Sequence, residues 1–194
     1  MKHEITSADI LPLKDYEAIR AQKRTAIIAT KQNRRMPVGP YAAFYFENYD
    51  TMWMQVQEML RIEKGGEEQL KDELRAYNPL IPNGRELTAT VMFQIDDPVR
   101  RAQVLATLGG VENHMEIRLG GEVIKGKAEE DLDYTSEEGK ASSVQFVHFP
   151  FTSAQVLKFR DPGAEVVLAI VHPQYSHMAV MPQAVKQELA KDFD

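Results

Sequence analysis

At Leu87 the apolar pattern changes period from 3.6 to 2, and this change sets the fold class. Leu87, Ala89, Val91, Phe93 and Ile95 alternate with Thr88, Thr90, Met92 and Gln94, the pattern of a half-buried strand. Upstream, apolar residues recur at threes and fours. Leu13, Tyr16, Ile19, Ala26, Ile27 and Thr30 predict a helix over 13–32, ended by Asn33 and by Pro37, Gly39 and Pro40. Met52, Trp53, Val56, Met59 and Leu60 predict a second helix over 51–64, capped by Asp50 or Thr51 and stopped by Gly65-Gly66. Leu70 and Leu74 mark a third over 67–77, closed by Asn78-Pro79. Between the first two lies an aromatic run, Tyr41 to Phe46, of strand character.

Beyond residue 95 strands dominate. Asp97 and Pro98 open a short helix. Gly120-Gly121 joins 115–119 and 122–125 as a hairpin. Strands are expected at 143–150, 164–171 and 175–181, the middle one central in the sheet because it is apolar on both faces. Thr152 and Gln155 form a capping box for a helix over 152–159, and Pro182 opens a last helix over 183–193. Residues 126–142, with six carboxylates and few apolar partners, read as an exposed, mobile loop. Helices followed by strands with helical excursions predict an α+β fold, a helical third (1–80) packed on a mostly antiparallel sheet (81–194). Nothing near 78–86 resembles a linker, so one domain, 1–194, is expected.

Composition excludes several chemistries. The chain has no cysteine, which removes disulfides, thiolate-held clusters and cysteine nucleophiles. The net charge is −6, which argues against nucleic acid or an anionic membrane as partner. Residues 1–40 carry 8 Lys/Arg against 4 Asp/Glu, whereas 41–80 carry 4 against 8. The basic segment is expected to meet the acidic one within the molecule. Stacking aromatics for a nucleic acid are missing there, since Tyr16 is the only one before Tyr41. No apolar run approaches the roughly 20 residues of a membrane span, and no signal-type apolar core follows the N-terminus, so the cytoplasm is the expected compartment. A homo-oligomer is compatible with all of this. Phosphate-loop, nucleophile-elbow and zincin motifs do not occur.

Two constellations carry potential chemistry. His148, His172 and His177 lie on or between predicted strands. Should those strands be neighbours, three imidazoles could hold a divalent metal as cofactor with one position open, giving a metal-dependent enzyme. The plainer reading is a hydrogen-bonded strand histidine and two turn histidines. The second constellation is Glu47 with Gln55, Gln57, Glu58 and Arg61, a polar ladder on the second helix. Covered by the 77–87 segment, Glu58 and Arg61 would form a structural clamp, or with Glu47 and Gln55 anchor a small-molecule ligand.

Three stretches resemble an uncharacterised bacterial family, domain of unknown function 3501. They are Val38-Gly39-Pro40-Tyr41 with Phe46-Glu47-Asn48-Tyr49-Asp50-Thr51-Met52-Trp53, then Gln55-Val56-Gln57-Glu58-Met59-Leu60-Arg61 with Glu63, and Tyr77-Asn78-Pro79-Leu80-Ile81-Pro82 with Gly84, Glu86 and Leu87. The resemblance runs to the 167–193 segment and brings no catalytic residue with it. It implies a context of rubrerythrin-like and iron–sulfur oxidoreductase genes, and so an accessory or binding protein serving iron/redox partners.

Overall fold

The computed structural model describes residues 2–129 and 134–194. Among them, helices and antiparallel strands form an α+β fold with two sheets rather than one. The element order is α1 (Leu13–Gln32), β1 (Arg35–Val38), β2 (Ala42–Phe46), α2 (Tyr49–Glu63), α3 (Gly66–Tyr77), β3 (Glu86–Phe93), α4 (Pro98–Ala106), β4 (Met115–Leu119), β5 (Glu122–Lys125), β6 (Lys127–Ala128), β7 (Val144–Pro150), α5 (Ser153–Arg160), β8 (Val166–His172), β9 (Tyr175–Val180) and α6 (Gln183–Leu189). The first sheet runs β1-β2-β3-β7-β6 and the second β5-β4-β8-β9.

The helical first third thus donates two strands. Pro37 lies in β1, an edge strand, where its missing N–H costs no ladder bond. Gly39, at φ +70, turns the chain into β2 where a side chain would strain the backbone and strike the His177 ring. The inner faces of the two sheets share one apolar core containing Phe44, Leu87, Val91, Phe149, Ile117, Leu168 and Ile170. Two features join the sheets. The Tyr175 hydroxyl on β9 donates to Val38 O at 2.7 Å and accepts from the N–H groups of Tyr41 and Ala42 at 2.9 Å. On the other side the chain passes from β5 to β6 through Gly126, whose N–H donates to Met115 O at 2.8 Å.

The strand over 87–95 was expected to be half-buried, but β3 is covered on both faces. Thr88 and Thr90, on its polar side, are buried along with Leu87 and Val91. The cause is a second core on the outer face of the first sheet, made by Ile5, Met52, Val56, Leu80 and Ile81 with Trp53, Leu74 and Phe146 against it. The N-terminal arm belongs to it: Ile5 and Asn78 exchange two hydrogen bonds, at 2.8 and 2.9 Å. The loop expected over 126–142 is ordered in part. β6 pairs with β7, Thr135 bridges Ala141, and Tyr134 and Ala141 are buried. The remaining part of that expectation, over 130–133, lies outside the described residues.

The basic N-terminal segment finds partners in several places rather than one. Arg20 meets Glu58 of the acidic segment. Lys23 sits 5.2 Å from the centre of the Trp53 ring. Arg34, 1 % exposed, reaches the far end of the chain, where its guanidinium pairs with buried Asp192 and lies 3.4 Å from Glu188. It also donates to Phe46 O at 3.0 Å and Glu47 O at 2.9 Å, tying the C-terminus to the end of β2. Burial pushes the Asp192 carboxyl up to about 6, although Arg34 pulls the other way.

Candidate functional site

Helix α2 is capped by Asn48, not by Asp50 or Thr51. The Asn48 side chain accepts the Thr51 N–H at 2.9 Å, and the Thr51 hydroxyl accepts the Asn48 N–H at 2.9 Å. That reciprocal cap orients Thr51 toward the preceding residue. Its hydroxyl donates to one Glu47 oxygen at 2.6 Å, and Thr90 on β3 donates to the other at 2.7 Å. Glu47 is 5 % exposed, and no cation among the described residues lies within ion-pair distance of it.

Glu47 opens onto a cleft of about 350 Å³ between the helical layer and the outer face of the first sheet. Met52 and Leu80 line it from the helical side, and Met92, Val144 and Phe146 from the sheet. Its polar groups are Glu47, Gln55, Thr90, Tyr45 and Tyr77, with exposed Lys31 at the mouth. The Gln55 amide donates to the Tyr77 hydroxyl at 3.4 Å, and Gln94 donates to Tyr45 at 2.8 Å. Burial pushes the Tyr77 hydroxyl upward, so it remains a neutral donor. A concave site with apolar walls, a few convergent polar groups and one buried charge has the makeup of a ligand site.

Of the four ligand candidates on and before α2, Glu47 and Gln55 share this cleft, while Glu58 and Arg61 face elsewhere. Their cover is α1, not the 77–87 segment. Glu58 accepts from the Tyr16 hydroxyl at 2.6 Å and from Arg20 at 2.7 and 2.8 Å. The Arg20 hydrogen bonds, helped by Tyr16, hold its carboxyl at about 2 against the opposing effect of desolvation. Burial and the Glu58 contact push the Tyr16 hydroxyl upward. The Arg61 Nε lies 2.8 Å from Glu17 but is poorly aligned for a hydrogen bond, so that contact is chiefly one of charge. Tyr16, Glu17 and Arg20 of α1 and Glu58 and Arg61 of α2 thus clamp the two helices together.

The three histidines are not brought together. His148 lies on β7 of the first sheet, whereas His172 and His177 lie on β8 and β9 of the second, where β8 lies between β4 and β9. His148 has a carboxylate on each ring nitrogen, Glu86 at 3.2 Å and Glu129 at 2.8 Å. Desolvation works against the charged ring, but the two carboxylates outweigh it and raise its pKa above 6.5. The His172 Nδ1 accepts the Gln174 N–H at 3.2 Å, so its Nε2 carries the hydrogen toward Gly109 O. His177 packs on Tyr175, ring centres 4.5 Å apart. Among the described residues no group of three His, Asp or Glu side chains could hold a metal ion.

Thr90, Tyr77 and Phe146 complete the cleft, with Thr51 behind Glu47, and none of them was a site candidate in the sequence. The available signal was Thr88 and Thr90, whose hydroxyls suit a buried polar face as well as an exposed one.

Fold and cleft together define an α+β protein of two antiparallel sheets, with a ligand-sized cleft under a helical layer. The chain belongs to the family described as Protein of unknown function (DUF3501), whose model matches residues 4–193. It is similar to a crystal structure described as a novel protein of unknown function from Burkholderia pseudomallei K96243. The two are 33 % identical with a TM-score of 0.89 over 98 % of this chain and 99 % of that one. No curated protein matches the chain. No helix among the described residues is long and apolar enough to cross a membrane.

Proposed function

We propose that this is a single-domain binding protein whose Glu47 cleft holds a small organic molecule. The observation that carries the reading is a buried carboxylate, fixed by two hydroxyls and unpaired with any cation among the described residues, on the wall of a cleft of about 350 Å³. Holding a charge out of water costs several kcal/mol. The two threonines offset part of this, and a ligand would supply the rest. Gln55, the second residue shared by the sequence ladder and the cleft, adds an amide for orientation.

An accessory role beside iron or redox proteins of the cytoplasm rests on the family resemblance. In that setting the cleft ligand is the signal or substrate the protein presents to its partner, and a metal would reside on the partner.

The test is a fragment screen by NMR on the labelled protein at pH 7. Bound fragments should shift the signals of Gln55, Thr90 and Met92, and Val144→Trp, which fills the cleft from β7, should abolish those shifts without unfolding the chain. Fragments that map elsewhere, or that bind the Val144→Trp variant equally well, would refute the reading.

A further inference from the structure

We propose that the occupant of the cleft is a small organic cation, an ammonium group on an apolar or aromatic body. The inference rests on the cleft being a binding site and adds the chemistry of its ligand. Its starting point is the acceptor count at Glu47. A carboxylate offers about four lone-pair positions. Thr51 and Thr90 fill one on each oxygen, at 2.6 and 2.7 Å, which leaves two. Both donors are neutral hydroxyls, so they orient the carboxylate without balancing its charge. A desolvated carboxylate is best completed by a charged donor.

The arrangement is rigid before any ligand arrives. Thr51 is held by the cap of α2, and Thr90 by the ladder of β3. A preset carboxylate gives up little order on binding. The neighbouring cation is already committed: the Arg34 guanidinium donates to Phe46 O, Glu47 O and Asp192, on the backbone side of Glu47. Lys31 is exposed at the mouth and makes no ion pair with Glu47. The charge in the interior of the cleft is therefore negative, and an anionic ligand would meet it unscreened. Met52, Leu80 and Phe146 give the body of the ligand apolar surface, and the Tyr77 ring adds aromatic surface that suits a cation, whereas the Tyr45 ring already carries the Arg35 guanidinium 5.4 Å from its centre.

Three probes of one shape separate the classes: 2-phenylethylammonium, 2-phenylethanol and 3-phenylpropanoate, titrated into the full chain at pH 7 and low salt and followed by NMR. The ammonium should bind at least tenfold more tightly than the alcohol, and the carboxylate should be weakest. Glu47→Gln should erase the preference for ammonium over alcohol. The rank order in the unaltered protein decides the matter even if Glu47→Gln does not fold. An alcohol equal to the ammonium, or a tighter carboxylate, would overturn the cation and leave the cleft a binding site. Failure of all three to shift cleft signals at millimolar concentration would overturn both readings.

Discussion

Replacing Arg34 by alanine tests the physical account of this fold most severely. Arg34 and Asp192 are each 1 % exposed, so the substitution strands a carboxylate in the interior. It also removes the donors to Phe46 O and Glu47 O. Breaking a buried pair from one side costs about 3–5 kcal/mol. A chain of this size loses roughly 2–4 °C of melting temperature per kcal/mol, so the expected drop is roughly 6–20 °C. The deficit should depend on pH. A carboxyl raised in the fold favours its neutral form there, so the stability it contributes is complete below its ordinary 3.8 and is lost as pH rises through about 6. Without the guanidinium that carboxyl climbs further. Thermal melts followed by circular dichroism should therefore show a larger deficit at pH 8 than at pH 5. Arg34→Met combined with Asp192→Leu should recover part of the loss, the two stranded carbonyls accounting for the remainder. A drop below about 3 °C at pH 8, or an equal drop at both pH values, would refute the reasoning.

Further expectations concern separate regions. Glu58→Gln should cost about 1–3 kcal/mol at pH 7 through its charged hydrogen bonds. Because its folded carboxyl is depressed, that stability is present above the ordinary 4.5 and is lost as pH falls through about 2, so chemical denaturation should show the deficit shrinking over that window. His148, raised in the fold, contributes stability below its ordinary 6.5 that is lost as pH rises through its folded pKa. An NMR titration should place its pKa above 6.5, and Glu86→Gln should bring it down; an unchanged value would contradict the Glu86–His148–Glu129 arrangement. Phe149→Ala should cost about 3–5 kcal/mol by emptying the core between the sheets, and a loss under about 1 kcal/mol in denaturant melts would mean that the two inner faces are not packed on each other.

Local signals were legible in proportion to how local their causes are. Helix α1 begins and ends where its apolar spacing and Asn33 place it. The capping box of Thr152 and Gln155, the Asp97 cap and the Gly120-Gly121 hairpin each depend on residues a few positions apart, and each is present. Strand β1 was hidden because Pro37 and Gly39 read as helix-ending punctuation, while its pairing partner lies across a turn in β2. The carboxylates of 126–142 suggested exposure throughout, yet Tyr134 and Ala141 are buried, Ala141 within the main apolar core, which no local pattern announces.

The site divides along the same line. Residue spacing placed Gln55, Glu58 and Arg61 near one another on α2, since helix geometry alone requires it. Which of them face a cleft was settled by what lies across from α2. Helix α1 covers Glu58 and Arg61, while the outer face of β3 and β7 leaves Glu47 and Gln55 beside open space. The histidines show the converse. Their placement on or between predicted strands suggested a cluster should those strands be neighbours, and the division into two sheets separated His148 from the other two. An alternating strand specifies that one face is apolar, but not whether water or a helix covers the other. That choice depends on contacts between residues far apart in the chain, whose entropic cost is met only when the whole core forms at once, and it is this choice that turned Thr90 from a surface residue into a buried hydroxyl holding Glu47.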